Sequence, residues 1–222
     1  MGSEDLFHKN RERTANDFKR KKATRNNPSR QPQPRILIVC EDSKSSAFYL
    51  EELAKDLGLN AVTVEGERCG SALSSVLQFA QEQYANSVKD RNDYDRVYCV
   101  FDRDRHDCFD ATVQSISQKN KFFAITTTPC FEFWLLLHFP LKAKPYNATQ
   151  DKSSCDCAND DLRLHWADYG KSKRGIYMFT KDKTQTAVAN GKQLANENLK
   201  TGSNNPQTNM HELIEYLQSI KR

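Results

Sequence analysis

Three short stretches hold the residues whose types and spacing can do chemistry. Arg35-Ile-Leu-Ile-Val-Cys-Glu41 and Arg96-Val-Tyr-Cys-Val-Phe-Asp102-Arg-Asp104 are apolar runs that each stop on acid, about sixty residues apart. Asp102 and Asp104 are separated by one residue, so in an extended turn both carboxylates can face one hard cation, which prefers oxygen ligands and keeps several waters. Glu41 is then a third ligand or a proton-transfer group. Three carboxylates in a small space cannot all stay ionised without compensation, so either a divalent cation binds or one acid holds a proton. Both outcomes suit phosphoryl chemistry. Mg²⁺ or Mn²⁺ on the Asp pair would neutralise charge on a phosphate, while Glu41 acts as general base or as ligand of a second metal. A lone Asp-x-Asp is more often a solvated turn or a helix N-terminus; the matching acid after the first run reverses those odds. Ser43, Lys44, Arg103 and Arg105 sit beside the acids as candidate phosphate holders, or as plain surface residues of two loops.

The third stretch is Thr128-Pro-Cys-Phe-Glu132-Phe-Trp-Leu-Leu-Leu-His138-Phe. An acid inside such an apolar run is costly unless satisfied. With Pro129 at the first helical position, Glu132 falls fourth, one place late for a capping box. It is therefore read either as structurally paired with an Arg, a Lys or backbone amides, or as a direct member of the site. His106 and His138 read as structural, and Lys171 in Tyr169-Gly-Lys-Ser-Lys can reach the site from the C-terminal part. Cys155, Asp156, Cys157 and His165 offer zinc ligands, but their spacing matches no standard site.

The elements that must position these residues follow from periodicity. Strands are expected at Ile36 to Cys40, Ala61 to Val64, Val97 to Phe101 and Phe122 to Ile125. Helices are expected at Ser43 to Leu57, Ser71 to Ser87, Asp107 to Ile116 and Phe131 to Phe139. Strict alternation implies an α/β fold with a doubly wound, mainly parallel sheet, whose carboxyl edge is where ligands bind. Residues 141–222 read as a helical extension packed on the 35–140 core. Its helices are expected near Asp160 to Asp168, Thr184 to Leu199 and Thr208 to Ile220, with a polar loop from Lys142 to Asp156 and a linker from Lys200 to Gln207.

The 222 residues carry a formal net charge of +4, unevenly spread. Residues 1–35 hold ten Lys or Arg against four Asp or Glu, so residues 36–222 sum to −2. Residues 1–34 therefore read as a basic flexible arm, in which Lys19, Arg20, Lys21 and Lys22 are candidate phosphate contacts with salt-dependent affinity. The alternative is a solubilising tail. Seven scattered cysteines, two of them inside expected strands, fit a reducing compartment. With no signal-peptide pattern and no apolar run near 18 residues, a cytoplasmic protein without a membrane span is expected.

A Glu at the end of the first strand with Asp-x-Asp at the end of the third resembles the Toprim domain of topoisomerases, primases and OLD-type nucleases. More specifically, Val-Cys-Glu41-Asp-Ser-Lys-Ser-Ser, Val-Phe-Asp102-Arg-Asp104-Arg-His106-Asp-Cys-Phe-Asp-Ala and Thr-Pro-Cys130-Phe-Glu132-Phe-Trp134-Leu-Leu-Leu-His138-Phe together resemble the RloB family. Asn205-Pro-Gln-Thr208-Asn-Met-His-Glu-Leu is similar to that family's ending. The resemblance covers about Arg35 to Ile220. It implies a metal-dependent nuclease acting on DNA or RNA, tRNA included, in abortive-infection defence against phage. It also implies a partner ATPase of the AAA or ABC-like kind, with oligomerisation left open.

The chain departs from the family at the first motif, where Asp42 stands for the usual Gly and Ser45-Ser46 for Thr-Glu. Losing the Gly removes close backbone approach to a ligand, and losing the Glu removes a metal ligand. These departures sustain a second reading, a nucleic-acid-binding or sensor module without catalysis. A receiver-like phosphoacceptor ranks last, because no convincing Lys follows a later strand.

Overall fold

In a computed structural model, which describes residues 33–66, 73–103, 108–140 and 143–220, the first apolar run is strand β1 (Ile36–Cys40), with all five side chains fully buried. A strand buried on both faces must be central. It pairs in parallel with β2 (Val62–Glu65) on one side and β3 (Arg96–Asp102) on the other. Strand β4 (Phe122–Thr128) extends the parallel sheet beside β3, and a two-residue strand, β5 (Gln207–Thr208), closes it antiparallel, in the order β2-β1-β3-β4-β5.

Helices cover both faces, as the alternation requires. On one face Leu37, Val39, Val97, Cys99 and Phe101 meet α2 (Leu73–Lys89) and α3 (Phe109–Ser117) through Leu73, Val76, Ala80 and Ile116. On the other, Ile36, Ile38, Tyr98 and Val100 form one core with α1 (Ser45–Asp56) and α4 (Glu132–Leu136). The same core takes in α5 (Ser154–His165), α6 (Ile176–Thr180), α7 (Thr184–Thr201) and α8 (Met210–Ile220). Each buried Leu, Ile or Phe there contributes about 1.5–3 kcal/mol.

Four expectations are corrected. Helix α4 spans only Glu132–Leu136, and Pro129 precedes it in a cis Thr128–Pro129 peptide instead of opening it. Glu132 is consequently the first helical residue, where a carboxylate complements the positive end of the backbone dipoles. Helix α5 begins at Ser154, six residues before the expected start, because Ser153 and Asp156 form a reciprocal capping box; this shortens the polar loop. The short α6 was hidden between Gly175 and a 3₁₀ turn, Lys181–Lys183. Strand β5 takes the last residue of the expected linker and the first of the expected final helix, which begins instead at Met210; only the sheet edge makes it a strand. The expected start of α2 at Ser71, the cap Asp107, and the basic arm with Lys19, Arg20, Lys21 and Lys22 lie outside the described residues.

Candidate active site

Connecting β1 to β2 and then crossing to β3 reverses the direction of winding, so the carboxyl ends of β1 and β3 flank a topological switch point. Glu41 and Asp102 stand there. The Glu41 amide donates to Val100 O at 2.9 Å, and its carboxylate accepts from the Asp102 amide, Oε2 at 3.2 Å. The two acids named from sequence are thus brought together by parallel pairing of their strands. Asp104, Arg105 and His106 lie outside the described residues.

Burial raises the Asp102 carboxyl well above its ordinary range, and the neighbouring carboxylates of Glu132, Asp42 and Glu41 push it the same way. Glu132, although it follows β4, is the first of those neighbours in its effect on Asp102. Its buried carboxylate accepts from Tyr169 Oη at 2.8 Å and from Ser45 Oγ at 3.4 Å, and Lys171 Nζ lies 3.7 Å from Oε2. Burial opposes the Lys171 charge, but Glu132, Cys130, Cys155 and Asp102 outweigh it and hold the ammonium above its usual value. Glu132 is structurally paired, with Tyr169, Ser45 and Lys171 as its partners.

Helix α1 delivers the lysine. Glu52 accepts from the Gly175 and Tyr177 amides at 2.5 and 2.9 Å, and Arg174 pairs with Glu51 at 2.8 Å. These bonds clamp the 166–175 loop onto α1 and set Tyr169 and Lys171 over Glu132. Gly66 packs against the turn after Glu41 so closely that a Cβ would sit 2.6 Å from Asp42 O.

The departures at the first motif are used locally. Ser46 Oγ donates to Asp42 at 2.7 Å, and Ser45 Oγ bonds Lys171 O at 3.2 Å. Lys44 is exposed at the start of α1, while the Arg103 guanidinium lies over the Phe109 ring and 3.9 Å from Asp110, both on α3. The zinc candidates separate: Asp156 caps α5, Cys157 faces Asn147 O, His165 stacks on Phe139, and Cys155, ahead of burial, raises the Cys130 thiol. Among the described residues, no group of three or more His, Cys, Asp or Glu side chains stands arranged to hold a metal ion. His138 is structural, as expected, bonded to Tyr49 Oη and to the carbonyls of Trp134 and Leu135.

Over residues 36–217 the chain matches the family model described as RloB-like protein. The chain belongs to the RloB-like family. No curated protein and no solved structure was found to match it. Within this RloB-like chain, sequence reasoning missed Tyr169 and Ser45 as partners of Glu132. The order Tyr-Gly-Lys after a helix was the signal for Tyr169, and the Ser45-Ser46 departure at the first motif was the signal for Ser45. No helix of the described residues is long and apolar enough to cross a membrane.

Proposed function

We propose that this RloB-like protein is a divalent-metal-dependent nucleic-acid phosphodiesterase. The observation carrying this reading is the gathering of Glu41, Asp102 and Glu132, with Lys171, at the carboxyl edge of the sheet. The acids fit a hard cation: Glu41 and Asp102 are neighbouring oxygen donors, and the burial and like charge that raise the Asp102 carboxyl are what a bound divalent charge would relieve. Asp102, with Asp104 from sequence, would hold Mg²⁺ or Mn²⁺, and Glu41 stands beside that pair. When bound, the ion supplies charge neutralisation at a phosphate oxygen and a lowered pKa for a coordinated water.

The chain's own groups divide the remaining work. Glu41 takes a proton from the attacking water, fixed toward Asp102 by the backbone bond it accepts. Lys171, half exposed and tethered through Glu132, offers an ammonium to the phosphate. Glu132 orients that ammonium and is itself held by Tyr169 and Ser45. From the family resemblance, we place this activity in abortive-infection defence against phage, held in check by a partner ATPase.

End-labelled DNA and RNA, single-stranded and duplex, incubated with Mg²⁺, Mn²⁺ or EDTA test the reading. Cleavage with metal, none in EDTA and none by Asp102→Asn is expected. If nucleic acid binds but no condition yields cleavage, with or without the partner ATPase, the chain is a binding module.

A further inference from the structure

The loop that carries Tyr169 and Lys171 also carries an aromatic face that the chemistry above does not use. Trp166 stacks on Phe179 with ring centroids 4.0 Å apart and planes 15° from parallel. Phe179 is 52% exposed, and Met178 and Leu164 beside these rings in sequence are 57% and 81% exposed. A second parallel stack, Phe139 on His165 at 5.0 Å, comes from the neighbouring residue of α5, and Lys183 Nζ stands 4.4 Å from the Phe139 centroid. Phe139 is buried and Trp166 half-buried against the core, so the ring left open is Phe179, with Met178 exposed beside it in sequence, and a contiguous exposed apolar patch marks an interaction site.

The charge around them has a definite sign. Residues 163–183 hold six Lys or Arg against two Asp, a net of +4, within a 36–222 segment that sums to −2. Part of that charge is spent on α1 and α5, where Arg174, Lys181 and Arg163 meet Glu51, Asp56 and Asp160. Lys173 and Lys183 have no carboxylate at ion-pair distance among the described residues, and both are exposed. The stack is also continuous with the carboxylate site: Trp166 lies 5.1 Å from the Tyr169 ring, whose hydroxyl donates to Glu132.

We propose that Trp166 and Phe179, flanked by Lys173 and Lys183, form a stacking platform for single-stranded nucleic acid. Exposed bases continue the Trp166–Phe179 pile while the lysines meet the backbone phosphates. Stacking and phosphate contact together are what single strands offer and a duplex, with its bases already stacked, does not. Strand passage from this platform toward Glu132 and Asp102 rests on the phosphodiesterase reading; the binding itself does not.

Anisotropy of fluorescein-labelled 15-mers of thymidine and uridine nucleotides, and of a mixed-sequence duplex, measured in EDTA, tests this without turnover. The unsubstituted protein should prefer both single strands to the duplex. Phe179→Ala and Trp166→Ala should each weaken single-strand binding by about 5–150-fold, the effect of losing one base-stacking ring. Phe179→Tyr should retain affinity. Phe179→Leu, which keeps apolar area but no ring face, should behave like Phe179→Ala. Tryptophan quenching by the oligonucleotide should vanish in Trp166→Phe, since the other tryptophan, Trp134, is fully buried. Preference for duplex, or wild-type affinity in Phe179→Leu and Phe179→Ala, would overturn the platform; the second result would mark the face as a protein-docking surface. The two readings fail separately. Absence of cleavage leaves these affinities standing, whereas affinities unmoved by the ring substitutions remove the platform whatever the cleavage assay gives.

Discussion

Tyr169 Oη donates a 2.8 Å hydrogen bond to Glu132 Oε1, tying the loop before α6 to the first residue of α4. The bond joins a buried carboxylate to a hydroxyl whose own ionisation is disfavoured, first by burial and then by the Glu132 charge. It therefore both satisfies Glu132 and fixes the loop that presents Lys171. Tyr169→Phe should destabilise the fold by about 1.5–3 kcal/mol, the usual worth of a hydrogen bond to a charged group. Urea unfolding measures that loss. Turnover should fall with it, because the lysine loses its register over Glu132.

Asp102 has the opposite effect on stability. Its folded-state pKa is raised, so it contributes stability at low pH that is lost as pH rises through the folded value. Asp102→Asn removes that loss. Its Tm at pH 7.5 should exceed that of the unsubstituted protein, each kcal/mol appearing as about 2–4 °C in a chain of this size. An unchanged or lowered Tm would mean that the carboxyl is not crowded.

How the site was legible in sequence follows from how each residue is placed. Glu41 and Asp102 were readable because a strand's apolar run sets its own end, and parallel pairing of β1 with β3 brings the two ends together. Glu132 was visible only as an anomaly, an acid in an apolar run. Its partners Ser45, Tyr169 and Lys171 come from other parts of the chain, set by the clamp of α1 on the 166–175 loop, and no local pattern encodes such a clamp. The missed β5 has the same cause. Two residues, Gln207 and Thr208, have no strand signal of their own and become a strand only against β4.

Acid stability should report on His138. Burial first, against the opposing pull of two backbone carbonyls, lowers its pKa to about 4. The unfolded chain takes up a proton near pH 6.5 that the folded chain refuses, so stability present above pH 6.5 is lost as pH falls to 4. The loss totals about 3 kcal/mol. In His138→Gln, urea midpoints recorded between pH 7 and 4 should be flatter by that amount; an equally steep profile would exclude His138 as the cause.

Gly66→Ala is expected to disturb the site without touching a carboxylate. The new methyl would stand 2.6 Å from Asp42 O and 2.9 Å from Ser43 Cα, so the turn after Glu41 must shift. A stability loss of about 1–3 kcal/mol, typical of overpacking, should accompany reduced activity. Unfolding midpoints and cleavage rates check both.

Glu41→Gln separates proton transfer from binding. The amide oxygen can still accept from the Asp102 amide, but the basicity is gone. Turnover should drop about 10²–10⁴-fold while metal affinity largely survives. Cleavage at the unmutated rate would remove Glu41 from the chemistry.

The most direct measurement is calorimetric titration of Mn²⁺ into the unsubstituted protein and into Asp102→Asn at the same pH. The account predicts saturable binding to the first and its loss in the second. Equal affinity in both, or no binding to either, would contradict a metal site at the ends of β1 and β3.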